Sequence, residues 1–340
     1  MVTMIEARIG QPATIDGLMI GASNRSAPCP GEVTLEIHAS SLNYHDLAVV
    51  RGMLIAEAGR IPLSDASGVI VEVGRGVTNV QIGDRVTSTF YADWQDGLGR
   101  QERHSIMGDH RDGYARSYAN VPARCVMRAP AGYSHSEAAT LPCAAVTAWR
   151  ALAVNGQVKP GDTVLVQGSG GVSCFALQFA KAMGATVIAT SSSDQKLEQL
   201  RAMGADFGIN YRDQPDWAKT VYELTDGQGV DHIVEVGGSG TFGQSLHAVR
   251  NNGHIAVIGV LTGRSAEIPT ALIMRKQARL IGLTVGSHQH QRDMIRAIEA
   301  TGIRPVIDRH FDLADLAHAF RHQAAGAHVG KIIIDVNPVG

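Results

Sequence analysis

Hydrophobic and polar residues alternate along Glu32-Val-Thr-Leu-Glu-Ile-His38, the pattern of a strand with one buried face. Gly68-Val-Ile-Val-Glu-Val-Gly74 reads as a buried strand entering a turn. Val80-Gln-Ile-Gly-Asp-Arg-Val86 has the same character around a Gly-Asp turn. Residues 91–113 are polar, carry glycine and show no period, which predicts a long loop. The stretch 1–129 therefore reads as strands and turns. From 130 the texture changes. A helix is predicted over 137–155, interrupted early by Pro142, followed by a turn at Lys159-Pro-Gly-Asp162. Strands at 163–167, 186–190, 207–210, 231–236, 254–259 and 279–285 then alternate with helical stretches such as 171–183, 194–203 and 241–250. Alternation of this kind predicts a parallel sheet covered on both faces. After 287 one helix (292–301) and two strands (305–311, 331–336) remain. They are too little for a third domain and are expected to complete the first. The expected fold is α/β: a doubly wound parallel sheet over 130–287, and a mostly-β domain made of 1–129 and 288–340.

The most informative segment is Thr163-Val-Leu-Val-Gln-Gly-Ser-Gly-Gly-Val-Ser173. A strand runs into a glycine cluster, and a helix follows with Val172, Phe175, Ala176, Phe179 and Met183 at three-and-four spacing. Gly168 permits the tight turn and Gly170 lets the backbone approach a phosphate. The N–H groups of Ser169, Gly171 and Val172 and the positive end of the helix then face an anion. This predicts a dinucleotide site. The third fingerprint position is Ser173 rather than glycine or alanine, so helix and strand are expected to pack less closely there.

Composition narrows the picture further. The chain has 340 residues, 44% hydrophobic and 18% charged, and a formal net charge of −2. No basic excess exists to neutralise a phosphate backbone, so nucleic acid is not an expected partner. No apolar run reaches the roughly 18 residues that span a bilayer, and the first residues show no charged-then-apolar signal, so no membrane role and a cytoplasmic location are expected. The four cysteines, Cys29, Cys125, Cys143 and Cys174, form no C-x-x-C pair and are expected to be reduced thiols.

The second strand decides between dinucleotides. In an NAD site an acidic residue near its end binds the ribose 2′-OH. Here the segment reads Ala189-Thr-Ser-Ser-Ser-Asp194 with Lys196 beyond. Ser191, Ser192 and Lys196 can bond a 2′-phosphate that a carboxylate would repel. NADP(H) is therefore preferred, with NAD(H) remaining possible. Asp194 is expected to cap a helix over 195–203, the alternative being a ribose-binding acid displaced by a few residues.

With these residues in view, the chain resembles the medium-chain dehydrogenase/reductase superfamily. It looks most like the zinc-free branch of quinone oxidoreductases and zinc-independent alcohol dehydrogenase-like proteins. The landmarks are Ser41-Leu-Asn-Tyr-His-Asp46, Asp65-Ala-Ser-Gly68 with Val71-Glu-Val-Gly74, Val80–Val86, Ala138-Ala-Thr-Leu-Pro-Cys143 with Thr147-Ala148, the glycine turn, Gly204-Ala-Asp206 with Asn210-Tyr-Arg212, and Gly330-Lys331. The resemblance implies a GroES-like catalytic domain, a Rossmann-type nucleotide domain, NAD(P)H lying in a cleft between them, and a homodimer. It implies that Lys196 and Tyr211 hold a 2′-phosphate. It places Thr147, Gly237, Val260, Leu261, Val285 and Ser287 near the cofactor.

Zinc-bearing relatives hold catalytic zinc through a cysteine, a histidine and a second cysteine. By resemblance these positions are Asn43, Ser64 and Cys143, and only the last retains a ligand. A catalytic zinc needs three protein ligands. The relatives' four-cysteine lobe would fall in 88–113, which has no cysteine. No metal is expected, and Cys143 is expected to be a small buried residue. His104 and His110 suit no common metal motif. Trp94 reads equally as a lid over substrate or an anchor for its loop.

Without zinc to polarise a carbonyl, an acceptor that delocalises charge is favoured, such as an enone or quinone, because one or two hydrogen-bond donors then suffice. Candidate donors are Asn43, Tyr44 and His45. Asn43 can donate to an oxyanion or brace the nicotinamide. Tyr44 has a phenolic O–H, and His45 falls where relatives carry their proton relay. Some reductases of the superfamily carry a tyrosine soon after the Gly52 region. Met53 and Leu54 stand here instead, which argues against enoyl-thioester reduction. The leading expectation is thus a zinc-independent, NADPH-dependent reductase of conjugated carbonyls or quinones. An NAD(P)-dependent alcohol dehydrogenase or ketone reductase is the alternative. A nucleotide-binding sensor or structural protein is a third reading.

Overall fold

The strands of the computed structural model follow the predicted rhythm closely. It describes residues 3–54, 57–99, 105–265 and 267–337. The early strands are β1 (Thr3–Ile9), β2 (Leu18–Asn24), β3 (Glu32–Ser41), β4 (Ser67–Val73), β5 (Arg85–Ser88), β6 (Tyr118–Pro122) and β7 (Val126–Arg128). The middle of the chain supplies β8 (Thr163–Gln167), β9 (Thr186–Ser191), β10 (Phe207–Asn210), β11 (Val230–Glu235), β12 (Val249–Val257) and β13 (Arg279–Gly282). The end supplies β14 (Ile307–Asp312) and β15 (Lys331–Asp335). The helices are α1 (Tyr44–Val50), α2 (His135–Ala139), α3 (Val146–Trp149), α4 (Gly171–Ala182), α5 (Asp194–Ala202), α6 (Trp217–Leu224), α7 (Ser239–Ala248), α8 (Thr270–Lys276), α9 (His288–Thr301) and α10 (Leu316–Ala324).

Two units result, Met1–Val146 with Gly286–Gly340, and Thr147–Val285. The second holds a six-stranded sheet in the order β10-β9-β8-β11-β12-β13. All its pairings are parallel. Strand order reverses between β8 and β11, which is where sheets of this kind receive ligands. Leu165, Ile188, Ile233 and Ile255 are fully buried, each contributing about 1.5–3 kcal/mol.

In the first unit the path β14-β15-β3-β4-β5-β7 is joined by β6, which pairs with β3, and β1 and β2 form a separate hairpin. The chain end returns as expected, with β15 lying antiparallel to β3. Leu35, Ile37, Ile70 and Tyr114 fill the core.

Several expectations need correction. The division falls at Val146/Thr147 rather than 129/130. The reason is α2, whose Ala138 carbonyl accepts from Thr87 Oγ1 at 2.9 Å and whose Ala139 packs on Ala39 and Ile333. The 137–155 helix is irregular: Pro142 opens a π-helical turn at Leu141–Ala145, and a second runs Arg150–Gly156. A helix, α1, stands in the stretch read as mostly strands and turns. Trp94 is 4% exposed; its indole N–H donates to Gly97 O and its ring meets Tyr91 and His290 edge-on, so it anchors its loop. No helix among the described residues is long and apolar enough to cross a membrane.

Candidate functional site

The nucleotide side lies in the second unit. Gly168 has φ +70°, and a Cβ at Gly168 or Gly170 would meet nothing within 4 Å. The space before the N-terminus of α4 is therefore open at the two positions where a pyrophosphate would need it, and the turn fits one. Ser169 and Gly171 complete this turn, and Val172 is half-buried. Ser173 behaves differently from expectation. Its hydroxyl donates to Gln167 O at 2.6 Å and the residue is 2% exposed, so it ties helix to strand.

At the end of β9, Ser191 is buried and Ser192 half-buried, and Ser191 O accepts from Tyr211 N at 3.0 Å. Lys196 lies half-buried on the first turn of α5. Asp194 is not the cap of that helix. Ser193 occupies the N-cap, and Asp194 is the first helical residue. Its Oδ1 accepts from Asn210 Nδ2 at 3.0 Å.

At the end of β11, the fully buried Glu235 carboxylate was not anticipated. It accepts from Gly237 N at 2.9 Å, Gly238 N at 3.0 Å, Thr241 Oγ1 at 2.6 Å and Gln167 Nε2 at 2.8 Å, and also from Ser245 Oγ. Gly237 N is thereby used within the turn rather than offered to a ligand. Val260 and Leu261 are exposed at 42% and 55%, and Thr147 is buried. Val285 is a β-branched residue at φ +45°, a strained conformation costing about 1–3 kcal/mol. Ser287, in the first unit, caps α9 by accepting from His290 N at 3.2 Å.

The chemistry side lies in the first unit, around α1. Asn43 caps this helix, with its N–H donating to Asp46 Oδ2 at 2.8 Å. The spacing of an asparagine three residues before an aspartate is a capping signature that sequence reasoning overlooked. Asp46 Oδ1 also accepts from Ser64 N at 2.9 Å. The Asn43 amide donates to Asp65 Oδ2 at 2.8 Å and to Ser64 Oγ at 3.2 Å. Both its amide hydrogens are thus consumed, which corrects the expectation that Asn43 donates to an oxyanion. Its Oδ1 accepts from Lys331 Nζ, which also donates to Leu42 O at 2.8 Å and stands 3.6 Å from Asp65 Oδ2. Burial pushes the carboxyls of Asp46 and Asp65 up to about 6, with Lys331 opposing the shift. Burial and then the Asp65 carboxylate hold the Cys143 thiol well above its ordinary value.

The three positions that by resemblance correspond to zinc ligands therefore carry an amide with no spare hydrogens, a hydroxyl accepting a bond, and a single thiol. Zinc takes thiolate, imidazole or carboxylate donors. The residues present do not fit it.

Tyr44, the first residue of α1, is 38% exposed. His45 follows with its side chain 18% exposed and its ring edge-on to Phe90. Its Nε2 is buried without a hydrogen-bond partner, 3.6 Å from Asp109 Oδ2. Burial lowers the His45 pKa, opposed by Asp109. His104 lies outside the described residues. His110 pairs with Asp109 instead, its Nδ1 3.3 Å from the same Oδ2.

Comparison with known proteins shows the family. Residues 29–131 match the family model of the alcohol dehydrogenase GroES-like domain, and residues 171–300 match that of zinc-binding dehydrogenases. A zinc-type alcohol dehydrogenase-like protein of Schizosaccharomyces pombe is 42% identical over 317 residues, covering 91% of this chain and 92% of its own. The crystal structure of a putative alcohol dehydrogenase from Sinorhizobium meliloti superposes with a TM-score of 0.92 at 39% identity, covering 98% of both chains. Two further structures are similar over most of their length. An NAD-dependent alcohol dehydrogenase has a TM-score of 0.90 at 30% identity, covering 98% of this chain and 100% of its own. The 2-octenoyl-CoA carboxylase reductase CinF, in complex with NADP and 2-octenoyl-CoA, has 0.91 at 25%, covering 99% and 89%. A GroES-like first unit, a doubly wound second unit and a 42% identical full-length relative mean that the chain belongs to the medium-chain dehydrogenase/reductase superfamily and is an oxidoreductase of that type.

Proposed function

We propose that this oxidoreductase is a zinc-independent, NADPH-dependent reductase of conjugated carbonyls or quinones. The observation that carries the reading is the hydrogen-bonded set Asn43, Ser64, Asp65 and Lys331, which fills with organic groups the place where relatives keep a metal.

When bound, the nicotinamide supplies the hydride. The chain's own part is to meet negative charge on the acceptor oxygen and to provide a proton. With Asn43 engaged on every hydrogen, Tyr44 O–H and His45 remain for this. Two such donors stabilise an enolate or phenolate, whose charge is already spread, better than a localised alkoxide. The 2-octenoyl-CoA carboxylase reductase CinF, NADP-bound, has the same fold, so this fold accommodates NADP and a conjugated acceptor, while Met53 and Leu54 argue against a thioester as the acceptor here. Preference for NADPH is supported by the end of β9. The Asp194 carboxylate accepts from Asn210 Nδ2, and Ser191, Ser192, Lys196 and Tyr211 are the residues assigned to a 2′-phosphate. A second reading, reduction of simple ketones or oxidation of alcohols, is favoured by the alcohol dehydrogenase relatives and the buried His45 nitrogen.

The experiment is to incubate the purified protein with NADPH and a panel of enones, quinones and ketones, following cofactor absorbance, with metal analysis of the same preparation. Turnover of enones or quinones that survives chelation supports the proposal. Turnover of ketones alone moves the assignment to the second reading. Stoichiometric zinc whose removal abolishes activity overturns the metal-free mechanism.

A further inference from the structure

The buried carboxylate of Asp109 lies between two imidazoles. His45 Nε2 stands 3.6 Å from its Oδ2, and His110 Nδ1 3.3 Å from the same oxygen. Burial falls off unevenly along this series. The Asp109 side chain is 7% exposed, that of His45 18% and that of His110 36%. The series thus runs from the residue beside Tyr44 to the protein surface.

The placement is built into the fold rather than left to a loose loop. Gly113 N donates to Ile61 O at 2.7 Å, Tyr114 N to Leu63 O at 2.9 Å and Ala115 N to Pro62 O at 3.0 Å. His110 N donates to Ile106 O at 3.1 Å and Gly108 N to Arg111 O at 2.8 Å, closing a tight turn around Asp109. Two glycines permit the approach. A Cβ on Gly108 would stand 2.9 Å from the backbone of Leu63, and one on Gly113 2.3 Å from Leu63 O. Leu63 itself is held at φ +77°, an unfavourable conformation for a leucine, just before Ser64. The loop that carries Asp109 is therefore fixed to the segment that carries Ser64 and Asp65.

We propose that Asp109 positions His45 and that His45, Asp109 and His110 form a proton path between the reacting substrate and solvent. The inference rests on the reading of His45 as the proton donor. In the reduction, His45 starts with its single ring proton on Nδ1. His110 gives a proton to Asp109, Asp109 passes it to His45 Nε2, and the Nδ1 proton leaves for the product. His110 then takes a proton from water, and His45 returns to its starting tautomer by exchange with solvent. One proton enters from solvent for each proton delivered, and no group changes oxidation state. The gap at His45 closes to hydrogen-bond length with a ring shift of less than about 1 Å. The charged groups acting on His45 are Asp109, His110 and Asp65, while Phe90 supplies an apolar wall. His45 Nε2 has no hydrogen-bond partner and burial lowers the pKa of the ring, so the route by which that nitrogen gains a proton runs through Asp109.

The test uses Asp109→Asn, Asp109→Glu and His110→Gln, measured on whichever acceptor the wild type reduces best. Asp109→Asn is expected to lower kcat by about tenfold to a thousandfold, in the range of general acid–base effects, with NADPH affinity unchanged. His110→Gln is expected to lower kcat less, to raise the solvent deuterium isotope effect, and to recover in imidazole buffer. Asp109→Glu is expected to restore part of the rate. A wild-type rate and isotope effect in Asp109→Asn would overturn the path while leaving the assigned reduction intact. An inactive Asp109→Asn whose NADPH affinity also collapses, with no rescue in Asp109→Glu or by imidazole, would show a structural role and overturn it too. If the wild type turns over no acceptor or alcohol at all, it is the functional reading that fails.

Discussion

Lys331 Nζ donates to Asn43 Oδ1 in the interior of the first unit, although 288 positions separate them. The same asparagine donates to Asp65, so one amide bridges a buried cation and a buried carboxyl. Asn43→Ala would leave both without that partner. The expected loss is about 2–4 kcal/mol, since buried polar groups lose their full solvation when a partner is removed. Urea unfolding should show a lower midpoint at constant slope. A loss under about 0.5 kcal/mol, of the size seen at surface positions, would mean the bridge is not holding the site together.

The 2′-phosphate assignment makes a selective prediction. Lys196→Ala should raise the KM for NADPH by about tenfold, the value of one charge-assisted bond, and leave that for NADH within about twofold. Steady-state kinetics with both cofactors decide it. Equal effects on the two would remove Lys196 from the phosphate and restore NADH as an equal candidate.

Much of this molecule was legible in its sequence. β8 lies where the apolar run Val164–Val166 predicts it, because a central parallel strand buried on both faces reads as a continuous hydrophobic segment. The glycine turn was legible because Gly168 must adopt a positive φ. The buried polar pairings were not. Asp109 and His45 are neighbours only because Gly108 and Gly113 press their loop onto Leu63, a tertiary contact with no local pattern. Glu235 reads as one residue of the 231–236 strand, and nothing nearby in sequence announces its donors from Gln167 and Ser245. Asp194 was placed on the cap because an aspartate before a helix usually is one. Here Ser193 takes that position and Asn210, sixteen residues on, takes the carboxylate.

Glu235 offers a sharper test of the turn at the end of β11. Its two oxygens receive five donors, all from uncharged groups. Glu235→Gln keeps the shape but turns one acceptor into a donor facing donors. The expected cost is about 2–4 kcal/mol, larger than that of a surface exchange by several fold. The Gly237–Gly238 turn should loosen with it, visible as faster amide exchange there. Unchanged stability would indicate that the turn does not depend on a carboxylate.

The acid side of the stability curve should be set in part by His254. This residue is 1% exposed, and both its ring nitrogens are buried without hydrogen-bond partners. Its ring meets that of His232, whose Nε2 lies 3.1 Å from Asp162 Oδ2. Burial, then His232 and Arg279, lower the His254 pKa from 6.5 to about 4. The folded protein therefore keeps the ring neutral where the unfolded chain protonates it. Stability from this group is present above pH 6.5 and is lost as pH falls towards 4. The shift corresponds to at most about 3 kcal/mol. His232 is lowered in the same sense, whereas Asp46 and Asp65, raised to about 6, favour the folded state on acidification, so the total curve mixes both signs. His254→Leu isolates the histidine. At about pH 7.5 the variant should be as stable as the wild type or more so, because an unsatisfied polar ring is replaced by an apolar side chain. Between about pH 6.5 and about pH 4.5 it should lose less stability than the wild type does in urea. Parallel losses in the two proteins across that range would show that the His254 ring does not titrate with unfolding.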